Sequence, residues 1–321
     1  MGAAGSSPTD PQLSPGGLLA ARTRLLESAD SGISPDNVES LLKKLGPSAA
    51  RSPGDLLHYT CRGLADYDLV ALGALTVRLP TGLRGLVSIN LSHNNIGDNG
   101  AAALGEALAS GAPRLRRLQL HENRIGDAGM AGLSIAMAPD GASVLQQLRI
   151  EFNRVGDAGL RALAKAWAAG GGQELLELFL VGNQISAEGV AALAEQLYLA
   201  PKLRTLALGS SSGGNRVGDV GARALVDALR EQPRRTGVLT INLKTCALTP
   251  EGEAEIDAAV KADASLALIS SRALSARPFS AEGLGLGAPA SAPSALETVS
   301  EVEETPAGER PAPVRDPSLE A

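Results

Sequence analysis

Apolar and polar residues along this chain fall into a block, L-x-x-L-x-L-x-x-N, that returns six times. The copies begin at Leu86 (LVSINLSHN), Leu115 (LRRLQLHEN), Leu145 (LQQLRIEFN), Leu175 (LLELFLVGN), Leu203 (LRTLALG, then the insertion SSSGGN) and Val238 (VLTINLKTC). The alternating centre of each block predicts a short strand with one buried face. The residues that follow have helical spacing instead: Leu104 with Leu108, Leu133 with Met137, Leu163 with Trp167, Leu193 with Leu197, Leu225 with Leu229, and Ile256 with Val260. Each unit therefore predicts strand, turn and helix, and recurrence at a fixed period points to architecture before it points to chemistry.

The turn between strand and helix has its own pattern. Asn94, Asn123, Asn153, Asn183 and Asn215 fall where the chain leaves the strand, with Cys246 in the last unit. A stacked amide both donates and accepts, so it can satisfy loop backbone groups of its own and the neighbouring coil. Gly97, Gly126, Gly156, Ser186, Gly218 and Thr249 then occupy an N-cap position. Asp98, Asp127, Asp157 and Asp219 come next, in the first helical turn, where a carboxylate complements the helix dipole. That recurring helix start accounts for the column of aspartates without calcium. The second glycine of each motif, such as Gly129 or Gly159, permits close packing of one coil on the next.

Composition divides the chain into three parts. Residues 1–50 predict a flexible leader with two short helical segments, GLLAARTRLLES and SPDNVESLLKKLGP. Residues 51–270 hold the repeat domain: a degenerate first unit with Cys61 near the Asn position, the six units, and the acidic cap helix EGEAEIDAAVKAD. Residues 271–321 are rich in Ala, Pro, Ser and Glu and predict a disordered acidic tail. The insertion SSSGGN lengthens one loop by four residues, and its Ser/Gly content predicts mobility.

Net charge −6 argues against a general nucleic-acid binder. Cys61 and Cys246 lie far apart and form neither a zinc motif nor a disulfide framework, which fits a cytoplasmic setting. No apolar run is long enough to span a bilayer, and the first thirty residues do not form a secretory signal. The opening MGAAGS matches the N-myristoylation pattern, with Gly2 as the acylated residue and Ser6 at the required offset. One such chain without a polybasic neighbour gives only weak, reversible membrane contact.

The units LQLHENRIGDAGMAGLSIAMA and LRIEFNRVGDAGLRALAKAWA resemble leucine-rich repeats of the ribonuclease-inhibitor-like subclass, over about residues 55–265. The same subclass forms the repeat regions of NOD-like receptors and Ran GTPase-activating proteins. The resemblance implies an α/β leucine-rich repeat solenoid, a horseshoe with parallel strands on the concave face and helices on the convex face. It implies work by binding a macromolecule. No GxxxxGK[ST] phosphate loop is present.

Function then rests on positions the repeat does not dictate. The site between the last two apolar residues of each block holds Asn90, Gln119, Arg149, Phe179, Ala207 and Asn242, and the next outward site holds Ser92, His121, Glu151, Val181, Gly209 and Lys244. Neighbouring strands lie about 4.8 Å apart. Copies two to four thus bring Arg117, Gln119, His121, Glu122, Arg149, Glu151, Phe152 and Phe179 into one concave patch, with the aromatic and Arg content of a protein-binding hot spot. Phe152 has a second reading, as a core residue tucked into the turn. Trp167 occupies a leucine slot and reads as core.

Two other functions compete. His93, His121, Glu122 and Glu151 approach one another at the strand ends, and such a cluster can bind zinc or move protons. A GTPase-activating role would keep the fold and change the task. No nucleophile pairs with the histidines at a defined spacing, so the sequence reads as a non-enzymatic protein-binding module. No catalytic residue, metal ligand or cofactor is assigned, and the partner is a protein.

Overall fold

The computed structural model describes residues 40, 41, 44, 56–77, 85–137, 144–231, 239–262 and 266–269. Strand and helix alternate through them. The first coils are β1 (Leu56–His58), α1 (Asp66–Val77), β2 (Ser88–Asn90), α2 (Asp98–Gly111), β3 (Arg117–Gln119) and α3 (Asp127–Ile135). The array continues with β4 (Gln147–Arg149), α4 (Asp157–Ala168), β5 (Glu177–Phe179), α5 (Ala187–Ala194) and β6 (Thr205–Ala207). After a small hairpin, β7 (Gly209–Ser210) and β8 (Gly213–Gly214), come α6 (Gly218–Glu231), β9 (Leu239–Asn242), α7 (Pro250–Ala262) and β10 (Leu266–Ile269).

Eight of these strands form one parallel sheet in the order β1-β2-β3-β4-β5-β6-β9-β10. Parallel neighbours need a crossover, and each crossover here runs through the helix layer. Register sets Leu57, Ile89, Leu118, Leu148, Leu178, Leu206 and Ile241 in one row across the sheet. All seven are buried, as are Leu91, Leu120, Ile150, Leu180, Leu208 and Leu243 two residues further on. The core is therefore aliphatic, closed on one side by the helices, with Trp167 fully inside it as its leucine slot requires.

The asparagines form a ladder. Asn123 accepts the Ile96 N–H at 3.0 Å and donates to the Leu91 and Leu120 carbonyls, each at 3.0 Å. Asn153, Asn183 and Asn215 repeat this bridge, and Asn94 extends it to Leu64 and Tyr59 of the first unit. Cys246 is buried at the end of the ladder, where burial pushes its thiol up to about 11. The residue before the asparagine is left-handed: His93, Glu122 and Phe152 have φ of 56°, 55° and 52°, and Gly182 has 67°. Cys61 belongs to this column, since its N–H bonds the Ser92 carbonyl as that of His93 bonds His121. It therefore stands one residue before the Asn position, which Arg62 takes.

A second ladder joins the helix ends. Asp98, in the first turn of α2, accepts the N–H groups of Gly126 and Gly129 in the next coil. Asp127 does the same for Gly156 and Gly159, Asp157 for Ser186, and Asp219 for Thr249. The carboxylate thus caps its neighbour's helix, a stronger role than complementing its own dipole. The second glycine is where the carboxylate enters: a Cβ on Gly129 would lie 2.7 Å from Asp98 Oδ1 and 3.0 Å from Asp98 Cα.

Three features depart from the sequence expectations. Leu41 and Lys44, read as part of the leader, pack on the array: Leu41 is fully buried in its core, and Lys44 pairs with the buried Asp68 at 2.6 Å. β10 follows the acidic helix and adds a strand beyond the cap the sequence predicts. The insertion folds as the β7–β8 hairpin, tied down by the Thr245 hydroxyl donating to the Ser210 carbonyl at 2.9 Å. Gly2 and the tail from residue 271 lie outside the described residues. Among the described residues, no helix is long and apolar enough to cross a membrane.

Candidate functional site

The sheet face turned away from the helices carries the x residues in register. One row holds Ser88, Arg117, Gln147, Glu177 and Thr205. The next holds His58, Asn90, Gln119, Arg149, Phe179 and Ala207. Arg117, Gln119, Arg149 and Phe179 are all partly exposed and adjacent on β3, β4 and β5.

Arg149 is held from two sides. Its Nε and Nη2 donate to Glu151 Oε1 at 3.0 and 2.7 Å, and its guanidinium carbon lies 5.0 Å from the centre of the Phe179 ring. A stacked, ion-paired arginine has lost its rotamer freedom before any partner arrives. Glu151 itself departs from the solvated position expected for it: it is 5% exposed, and its Oε2 is buried without a hydrogen-bond partner. The outward site it occupies is crowded, for Ser92 and Val181 in the same row are buried too.

His121 sits beside Glu151 in that row. Its Nδ1 lies 2.7 Å from the Ser92 hydroxyl, and its ring meets His93 edge-on with centroids 4.9 Å apart. Burial lowers the His121 pKa; the Glu151 charge opposes that shift, and the Arg149 charge reinforces it. His93 pairs with Glu122 at 2.9 Å on the exposed rim. The cluster is thus divided into separate pairs: Glu151 is engaged by Arg149, Glu122 by His93, and His121 by Ser92. No group of three or more His, Cys, Asp or Glu side chains among the described residues is arranged to hold a metal ion.

Phe152 stands apart from the strand patch. It lies three residues beyond β4, in the left-handed column, and is 38% exposed, so it is neither core nor part of the strand face. Its ring rests against Gly182: a Cβ there would come within 2.5 Å of ring Cδ1. Gln147 and Glu177, absent from the patch the sequence predicts, share a row with Arg117 and bond each other, Nε2 to Oε2, at 2.5 Å. Their signal was available, in the polar residue preceding the middle leucine of each block.

A leucine-rich repeat family model matches residues 84–105, 113–134, 142–164 and 174–194. No curated protein sequence matches the chain. Among solved structures, the chain is similar to an internalin from Listeria monocytogenes at 20% identity and a TM-score of 0.31, over 49% of this chain and 41% of that one. It is similar to a TDR receptor at 14% identity and a TM-score of 0.26, over 67% of this chain and 51% of that one. The matches thus span about half or less of each solved chain. With the consensus block in each unit, the family match over four of them and one parallel sheet backed by helices, the chain carries leucine-rich repeats and has the leucine-rich-repeat fold.

Proposed function

We propose that this chain is a non-enzymatic protein-binding module of the ribonuclease-inhibitor-like subclass, whose partner docks on the strand face around Arg117, Gln119, Arg149 and Phe179. Leucine-rich repeat proteins generally mediate protein–protein interaction, which supports the class of function. The observation that carries the choice of surface is Arg149, fixed between Glu151 and the Phe179 ring. An exposed aromatic and a preorganised guanidinium side by side are the composition of a hot spot, and a rigid receptor loses little entropy on binding. Two cysteines that are both free support a reducing, intracellular setting. Acylation at Gly2 would add weak, reversible membrane contact.

The test is affinity recovery after cross-linking in the cells that make the protein, comparing the full chain with the double variant Arg117→Glu, Phe179→Ala. Both positions lie on the partly exposed strand face, so the unfolding midpoint should stay within a few degrees while the wild-type partners disappear. Identical recovery by the variant would remove the strand face as the interface.

A further inference from the structure

We infer that the turn-side rim of the array, centred on Phe152, is a second protein-binding surface, shaped for an extended segment that places carboxylates on either side of an apolar side chain. Three observations meet there.

The first is conformational. Phe152 has φ of 52°, in a column where Gly182 of the next coil adopts 67°. That region disfavours a bulky side chain, and glycine occupies it freely. The aromatic ring at Phe152 is nevertheless 38% exposed rather than buried in the core. His93, Glu122 and Thr245 share this conformation, so the repeat sets it, and what distinguishes Phe152 is an aromatic side chain left at the surface of the column.

The second is shape. The ring lies against backbone that has no side chain to interfere, at Gly182 and at Gly213 of the β7–β8 hairpin, where a Cβ would sit 3.3 Å from ring Cε1. One edge of the ring is thereby fixed and the other faces solvent, as an anchor for an apolar group requires.

The third is charge. Two residues past Glu122 and Phe152 the chain places Arg124 and Arg154, Gln184 takes that position in the next coil, and Arg216 takes it in the coil after. The arginine N–H groups bond Ile96, Ile125 and Ile185 of the preceding coils at 2.8, 2.7 and 2.8 Å, so the three align along one edge. All three are exposed, and none makes an ion pair among the described residues. The aspartates of the same turns are engaged by helix N–H groups, Asp127 by Gly156 and Gly159, and the exposed Glu122 is paired with His93, which leaves the guanidiniums as the unpaired outward charges of these turns. The net charge of −6 disfavours a polyanionic nucleic acid, whereas a short peptide can set a few carboxylates on the arginine row.

The test uses the full chain and three dye-labelled probes, read by fluorescence anisotropy at two salt concentrations. They are a 12-residue peptide with Asp and Glu flanking a central Leu, the same peptide with Lys in place of each acid, and a 12-nucleotide oligouridylate. The acidic peptide should bind, more weakly at high salt. Phe152→Gly should weaken it at least about tenfold while leaving the unfolding temperature equal or higher, because glycine relieves the left-handed position. Arg124→Glu with Arg154→Glu should weaken it similarly, and Arg117→Glu with Phe179→Ala should not, which keeps this surface distinct from the strand face. The proposal is overturned by equal binding of the Lys peptide, by tighter binding of oligouridylate, or by unchanged affinity in either rim variant. A fall in unfolding temperature for Phe152→Gly would also overturn it, by making the ring a structural clamp on the hairpin.

Discussion

The Asp98 carboxylate accepts the N–H of Gly126 at 2.6 Å and that of Gly129 at 2.9 Å, so the first residue of one helix closes the open end of the next. Gly126 has no side chain with which to cap α3 itself. The cap is supplied from the preceding coil, and stability becomes a property of neighbours. Asp98→Ala should cost about 1–2 kcal/mol, the usual worth of a lost cap with its charge-assisted bonds. Hydrogen exchange should quicken at Gly126 and Gly129 more than at Gly156. An unchanged denaturation midpoint would show that water replaces the carboxylate without loss.

The same contact fixes the sign of a glycine substitution. Alanine is the better helix former by about 0.5–1 kcal/mol. At Gly129, however, its Cβ would lie 2.8 Å from Ile125 Cγ2 as well as 2.7 Å from Asp98 Oδ1. Gly129→Ala should therefore destabilise, by about 1–3 kcal/mol for an overpacked contact. Gly73 in α1 is the control, because its nearest atoms would be the Ala103 carbonyl at 3.5 Å and Ala107 Cβ at 3.6 Å. Gly73→Ala should stabilise. Equal effects in urea denaturation would discard the close-packing account of the repeated glycine.

Arg149 and Glu151 should prove strongly coupled. Removing the arginine leaves Glu151, with a side chain only 7% exposed, as an uncompensated buried charge. Arg149→Met alone should cost about 1–3 kcal/mol, and adding Glu151→Gln should restore a large part of it. A double-mutant cycle reads the coupling; additive effects would mean the pair is as weak as an exposed one. Charge reversal at Arg149 is for the same reason a poor probe of binding, since it would set two carboxylates together.

The repeat, its strands and its asparagines are legible in the sequence because each is a local pattern repeated in register. The asparagine needs only its own turn and the coil before it. Asp98 is legible as a helix-start residue, but its bonds to Gly126 and Gly129 belong to another coil, and propensity says nothing of that distance. The alternation of its strand puts Glu151 on the concave face, which assigns a face and not a depth. The crowded row with Ser92 and Val181 decides the depth. The Ser and Gly content of the insertion predicts mobility, yet Gly214 is what lets it lie close over the Thr245 backbone. β10 is not legible because the acidic helix before it has the composition of a terminal cap.

Acid should act on His121 before it acts on the carboxylates. Burial lowers its folded pKa below the ordinary value of about 6.5, with Glu151 opposing and Arg149 and His93 assisting. The folded state thus binds its proton more weakly than the unfolded chain does. The associated stability is fully present above about pH 6.5 and is lost as pH falls through the folded pKa. His58, at the exposed end of β1, is lowered by partial burial and next by Arg117, and acts more weakly in the same direction. His121→Gln should therefore flatten the decline in stability between about pH 7 and pH 5 without abolishing it, because His58 remains. Proton NMR of the imidazole C–H resonances gives the pKa directly. Glu151→Gln removes the charge that holds the His121 pKa up and should move it further down. A His121 pKa at or above about 6.5 in the folded protein, or an upward move in the Glu151 variant, would overturn the assignment of burial as the dominant influence on this ring.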